Sequence, residues 1–62
     1  MNYRIYGKFK NDKTFKAMDI KEGYQVNNLI YATLFTKNEA TRVFKHISRD
    51  NNDWKFEIRE VS

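Results

Sequence analysis

Catalysis by side chains needs reactive groups that can be brought together, and this chain offers few of them. It has no cysteine and one histidine, His46, so thiolate ligands, a Cys–His pair and a paired-histidine metal site are all out of reach. The carboxylates Asp12, Asp19, Glu22, Glu39, Asp50, Asp53, Glu57 and Glu60 are spread along the chain. No spacing among them forces two into one buried site, as general acid–base work requires. Gly7 and Gly23 stand alone, so there is no phosphate-binding loop, and a Gly-x-Ser-x-Gly elbow is absent. The expectation is a binding protein, not an enzyme, with no metal and no small-molecule cofactor.

The residue pattern that can do something is an interleaving of rings and cations. Arg4, Tyr6, Lys8 and Lys10 alternate with Tyr3, Ile5, Gly7 and Phe9. A strand carries alternate side chains on opposite faces, so the first set shares one side. Aromatic rings stack on unpaired bases while Lys and Arg neutralise phosphates, which makes such a face a candidate nucleic-acid surface. Aromatic and β-branched residues also populate sheets simply because they pack across strands, and lysine guards exposed edges, so the pattern has an ordinary structural explanation as well.

Positioning these residues requires a sheet. Residues 3 to 10 read as a strand, followed by turn chemistry at Asn11-Asp12 and a second strand. A two-residue turn pairs Tyr6 with Ala17, Lys8 with Phe15, Ile5 with Met18, Arg4 with Asp19 and Tyr3 with Ile20. Lys21-Glu22-Gly23-Tyr24 is a second turn with Gly23 at positive φ. Val26 to Phe35, apolar on both faces, reads as a third strand central in its sheet. Thr36-Lys37-Asn38-Glu39 is a capping box that opens a helix, whose apolar stripe is Ala40, Val43, Phe44 and Ile47. Asn51 or Asn52 is expected as its left-handed cap. Trp54 to Val61 alternates again, with Trp54, Phe56 and Ile58 inward and Lys55, Glu57 and Arg59 outward. The predicted class is α+β in the order β-β-β-α-β: a mainly antiparallel four-stranded sheet with one helix packed on one face, in a single domain spanning residues 1–62. A crossover through the helix predicts that the last strand runs parallel to the third. In element order this resembles small DNA-binding modules of the integrase-arm type, from which the fourth strand departs, and no site residue is carried over.

One helix can cover only one side of such a sheet. The expected core beneath it is Tyr3, Ile5, Phe9, Met18, Ile20, Ile30, Ala32 and Leu34 with Trp54, Phe56 and Ile58. The reverse face collects Arg4, Tyr6, Lys8, Lys10, Phe15, Ala17, Leu29, Tyr31 and Thr33. The leading expectation is protein–protein interaction or self-association through this reverse face, anchored by Tyr6, Phe15, Leu29 and Tyr31. The alternative is nucleic-acid binding there, with Arg4, Lys8 and Lys10 on phosphates. The outer helix surface, with Arg42, Lys45, His46 and Arg49, resembles a basic recognition helix, but a solvated helix end explains it as well.

The chain has 62 residues, a net charge of +4 and 16% aromatic residues. That suffices for one small core and leans towards polyanionic partners. Without a signal-like or membrane-spanning apolar run, and without cysteine, a cytoplasmic location is expected. Phe, Tyr, Met, Ile, Asn and Lys make up half of the chain, and their AT-rich codons point to a low-GC bacterium, phage or mobile element.

Overall fold

A computed structural model describes residues 2–61. Three strands, a short 3-10 turn, a helix and a last strand follow in order: β1 Asn2–Phe9, β2 Lys16–Asp19, β3 Tyr24–Gln25, the turn Leu29–Tyr31, α1 Lys37–Asp50 and β4 Trp54–Val61. The strands form one sheet in the order β3-β2-β1-β4 with every neighbouring pair antiparallel. The predicted α+β class and element order stand.

β1 and β4 are paired along their whole lengths, from Asn2↔Val61 to Phe9↔Trp54. Residues directly opposite in an antiparallel ladder point to the same side, so Ile5↔Ile58, Gly7↔Phe56 and Phe9↔Trp54 share a face. The helix packs there, against β4 and β1. Ile5 and Ala40 are fully buried, with Met18 and Ala32 close to it. Gly7 is needed in this layer because a Cβ would lie 2.9 Å from Cδ1 of Phe56 and 3.1 Å from Sδ of Met18.

The helix begins as the sequence predicts. The Thr36 hydroxyl accepts from the Glu39 amide at 3.2 Å, and the Glu39 carboxylate accepts from the Thr36 amide at 3.0 Å. That second bond, then the Thr36 hydroxyl and Arg42, hold the Glu39 carboxyl below its usual range. The C-terminal end differs from expectation, because Asn51 caps the helix at φ −132° and no non-glycine residue among those described has positive φ. The Asn51 side-chain amide instead donates to the Ile47 carbonyl at 2.9 Å, satisfying a helix-end acceptor without a left-handed residue.

The hairpin register between β1 and β2 is the predicted one, Tyr6↔Ala17 and Gly7↔Lys16. Its turn is wider than two residues: the Asp12 amide closes a turn on the Phe9 carbonyl at 2.9 Å, and the ladder starts only at Lys16. With no left-handed residue at Asn11 or Asp12, a tight primed turn cannot form. Gly23 does take positive φ, at 84°.

The third strand is the main correction. No strand forms over the expected Val26–Phe35, because the Asn28 side chain accepts from the Ile30 amide at 3.1 Å and winds residues 29–31 into a 3-10 turn; β3 is instead the two residues before it, Tyr24–Gln25. Ile30 is 77% exposed and Leu34 51%, so neither joins the core where the alternation places them, and Phe9 at the end of β1 is half-exposed. The chain returns at Thr33, whose amide donates to the Met18 carbonyl and whose hydroxyl accepts from the Ile20 amide. Phe35 then bridges Tyr3 with bonds of 2.8 and 2.9 Å. This bridge takes the place on β1 expected for Ile20. β3 runs opposite to β4; of the expected third strand, only the stretch at Phe35 has the predicted direction, parallel to β4 with β1 between them.

Candidate polyanion-binding face

The side of the sheet away from the helix is fixed by the same pairings. Arg4↔Arg59, Tyr6↔Glu57 and Lys8↔Lys55 lie directly opposite one another on β1 and β4, and Ala17 flanks Tyr6 from β2. Two of these three pairs therefore set like positive charges face to face. Such pairs weaken a ladder, where opposite charges would strengthen it. At about 3.3 Å per residue the two cationic pairs are separated by roughly 13 Å along the strands.

The rings hold the cations instead of standing bare. The Arg59 guanidinium lies over the Tyr6 ring, 4.1 Å from its centre, and is also bonded to Glu57. The Lys8 ammonium sits 5.2 Å from the centre of the Phe15 ring and donates to the Asp12 carbonyl at 2.6 Å. Tyr6 and Phe15 are half-buried, and Ala17 is buried between strands. A cation over a ring face is attracted by the ring quadrupole and loses side-chain freedom before any ligand arrives. Arg4 Nε is buried with no hydrogen-bond partner among the described residues, a donor whose desolvation nothing in the fold offsets.

Of the residues singled out from sequence, Arg4, Tyr6, Lys8 and Phe15 come together on this face. Lys10 lies beyond the end of β1, with its ammonium 3.9 Å from Asp53. Leu29 and Tyr31 do not belong to the sheet face: both are on the exposed 3-10 turn beside β2, a consequence of the lost third strand. Sequence reasoning missed Lys55 and Arg59 as members of the site. Their outward alternation is legible, but their position beside Lys8 and Arg4 depends on β4 pairing with β1.

On the outer helix surface, His46 and Arg49 find partners within the helix: His46 meets Asp50 at 3.3 Å, Arg49 meets Asp50 at 3.5 Å, and Arg49 approaches His46 Nδ1 at 3.2 Å. No group of three metal-ligating side chains occurs among the described residues, and no helix is long and apolar enough to cross a membrane.

Comparison with protein-family models, curated proteins and solved structures finds no match.

Proposed function

We propose that this protein acts by binding, without chemistry of its own, and that its ligand is the phosphate backbone of a nucleic acid lying along the sheet face opposite the helix. The observation that carries this reading is the pair of like-charge cross-strand contacts, Arg4↔Arg59 and Lys8↔Lys55. Like charges facing across a ladder weaken it, a cost that Glu57 offsets in part at Arg59, and bound phosphates would turn the same arrangement favourable. Pairing this face with the same face of a second copy would add further like charges, which favours a polyanion over self-association there. Recognition is by charge and is indifferent to base sequence, with the guanidinium plane of Arg59 available for stacking.

The test is a labelled single-stranded oligonucleotide titrated at about 50 and 200 mM salt. Four phosphate contacts give a slope of about −3 in log K against log salt for a single strand, and Arg4→Ala should lower its magnitude by about 0.7. Absence of binding at the lower salt concentration would remove this reading.

A protein partner is the second reading, supported by the apolar 3-10 turn. Tyr31 is 63% exposed, and Leu29 and Ile30 beside it are also exposed, an arrangement that costs water contact unless something covers it. Such docking would hold or strengthen with salt, the opposite of the first reading.

A further inference from the structure

β4 is an edge strand eight residues long, with β1 on one side and, among the described residues, no strand on the other. A long edge is a template for another strand and is usually blunted by proline, a bulge or charged side chains. Trp54–Val61 has no proline and no bulge, since the β1 ladder runs through without a skipped residue; its charges are Glu60, on the helix side opposite Tyr3, and Lys55, Glu57 and Arg59 on the reverse side.

The free side of this edge can be identified residue by residue. The Lys10 amide donates to the Asp53 carbonyl at 2.9 Å, continuing the β1–β4 register by one pair. Hydrogen-bonded and non-bonded pairs alternate in an antiparallel ladder. Lys55, Glu57 and Arg59 therefore direct their backbone groups at β1, while those of Trp54, Phe56 and Ile58 point outward. The Trp54 amide is already used by the Asn51 carbonyl, which leaves its carbonyl and both groups of Phe56 and Ile58 to a newcomer.

The side chains along this edge name the newcomer. Asp53-Trp54-Lys55-Phe56-Glu57-Ile58-Arg59 is its own complement when reversed about Phe56. Antiparallel pairing of two copies centred there sets Asp53 against Arg59, Lys55 against Glu57, Trp54 against Ile58 and Phe56 against Phe56. All four kinds of pair are of opposite charge or apolar. The apolar ones fall on the helix side and the charged ones on the reverse side, and the outward backbone groups are those that this register uses. Centring one residue later, on Glu57, uses the same outward backbone groups but sets Glu57 against Glu57 and Lys55 against Arg59, like charge on like charge. Centring on Ile58 sets Phe56 against Glu60.

We infer that β4 is a self-recognition strand that joins a second copy of this chain edge to edge, making one continuous eight-stranded sheet with both helices on the same side. The inference does not depend on the proposed ligand, and it is tested without nucleic acid.

Sedimentation of the full chain across a dilution series should give twice the 7.5 kDa chain mass at high concentration. Lys55→Glu and Glu57→Lys each turn two attractive contacts into repulsive ones and should raise the dimer Kd on the order of tenfold or more. The double variant Lys55→Glu/Glu57→Lys restores opposite charges and should recover the dimer, which a merely misfolded single variant could not explain. In a chain without native cysteine, Lys55→Cys/Glu57→Cys should oxidise to a disulfide-linked dimer, because residues facing in a non-bonded pair lie about 4.5 Å apart at Cα. A wild-type chain that stays monomeric at millimolar concentration would overturn the proposal. So would a dimer indifferent to the single charge changes, or a double variant that fails to recover. Each of these outcomes leaves the polyanion reading to its own salt titration.

Discussion

At the scale of single residues, this fold depends on a few small contacts that a 62-residue chain cannot easily replace. At roughly 0.05–0.15 kcal/mol per residue such a domain has only a few kcal/mol to lose. Ile5→Ala removes a fully buried side chain and should cost about 2–5 kcal/mol, enough to bring the urea midpoint close to zero; a near-normal midpoint would mean that the core is elsewhere. Gly7→Ala should cost about 1–3 kcal/mol by overpacking against Phe56 and Met18, read in the same unfolding assay. Arg4 behaves in the opposite sense. Replacing it by Thr removes a like-charge pair and a buried unpartnered donor, so Arg4→Thr should raise stability by about 0.5 kcal/mol while weakening oligonucleotide binding. Loss of both properties would mean that Arg4 is structural.

The elements divide into those whose instructions are local and those whose instructions are not. The helix belongs to the first kind. Thr36→Ala should remove about 1 kcal/mol of its stability, seen as a lower thermal midpoint by circular dichroism. Because the Glu39 carboxyl is held below its ordinary range by its bonds to Thr36, its contribution is complete above the unfolded pKa and is lost as pH falls through the folded one. Glu39→Gln should flatten that acid-side slope, and an unchanged slope would assign it to other carboxylates. The third strand belongs to the second kind. Residues 29–35 have the composition of a buried strand, but a strand apolar on both faces needs cover on both, and a single 14-residue helix supplies only one. The Asn28 side chain then competes successfully for the backbone and starts a turn. Asn27-Asn28 was the legible signal for this break. The return of Thr33 to the end of β2 was not legible, since it joins residues 13 and 15 positions apart.

Over the whole molecule, the two surface proposals are geometrically compatible. Edge pairing through β4 would place Lys55 and Arg59 near the middle of an eight-stranded face, with Arg4 and Lys8 one strand further out on each side. At about 4.8 Å between strands the joined sheet would be some 34 Å wide, so dimerisation should tighten oligonucleotide binding. Lys55→Glu/Glu57→Lys, which keeps both the net charge and the opposite-charge edge pairs, should bind about as tightly as the wild type if both proposals hold. The sequence by itself determined β1, the hairpin register, the capped helix, the positive φ of Gly23 and the alternation of the last strand. Each of these is specified by neighbours within a turn or a hairpin, where side-chain period and local hydrogen bonds decide. Only the tertiary structure decided that β4 lies against β1, that Lys55 and Arg59 therefore face Lys8 and Arg4, and that Leu29 and Tyr31 leave the sheet. Those outcomes depend on which strand edges and which faces remain unoccupied once everything else has packed, a competition between distant segments that no local pattern encodes.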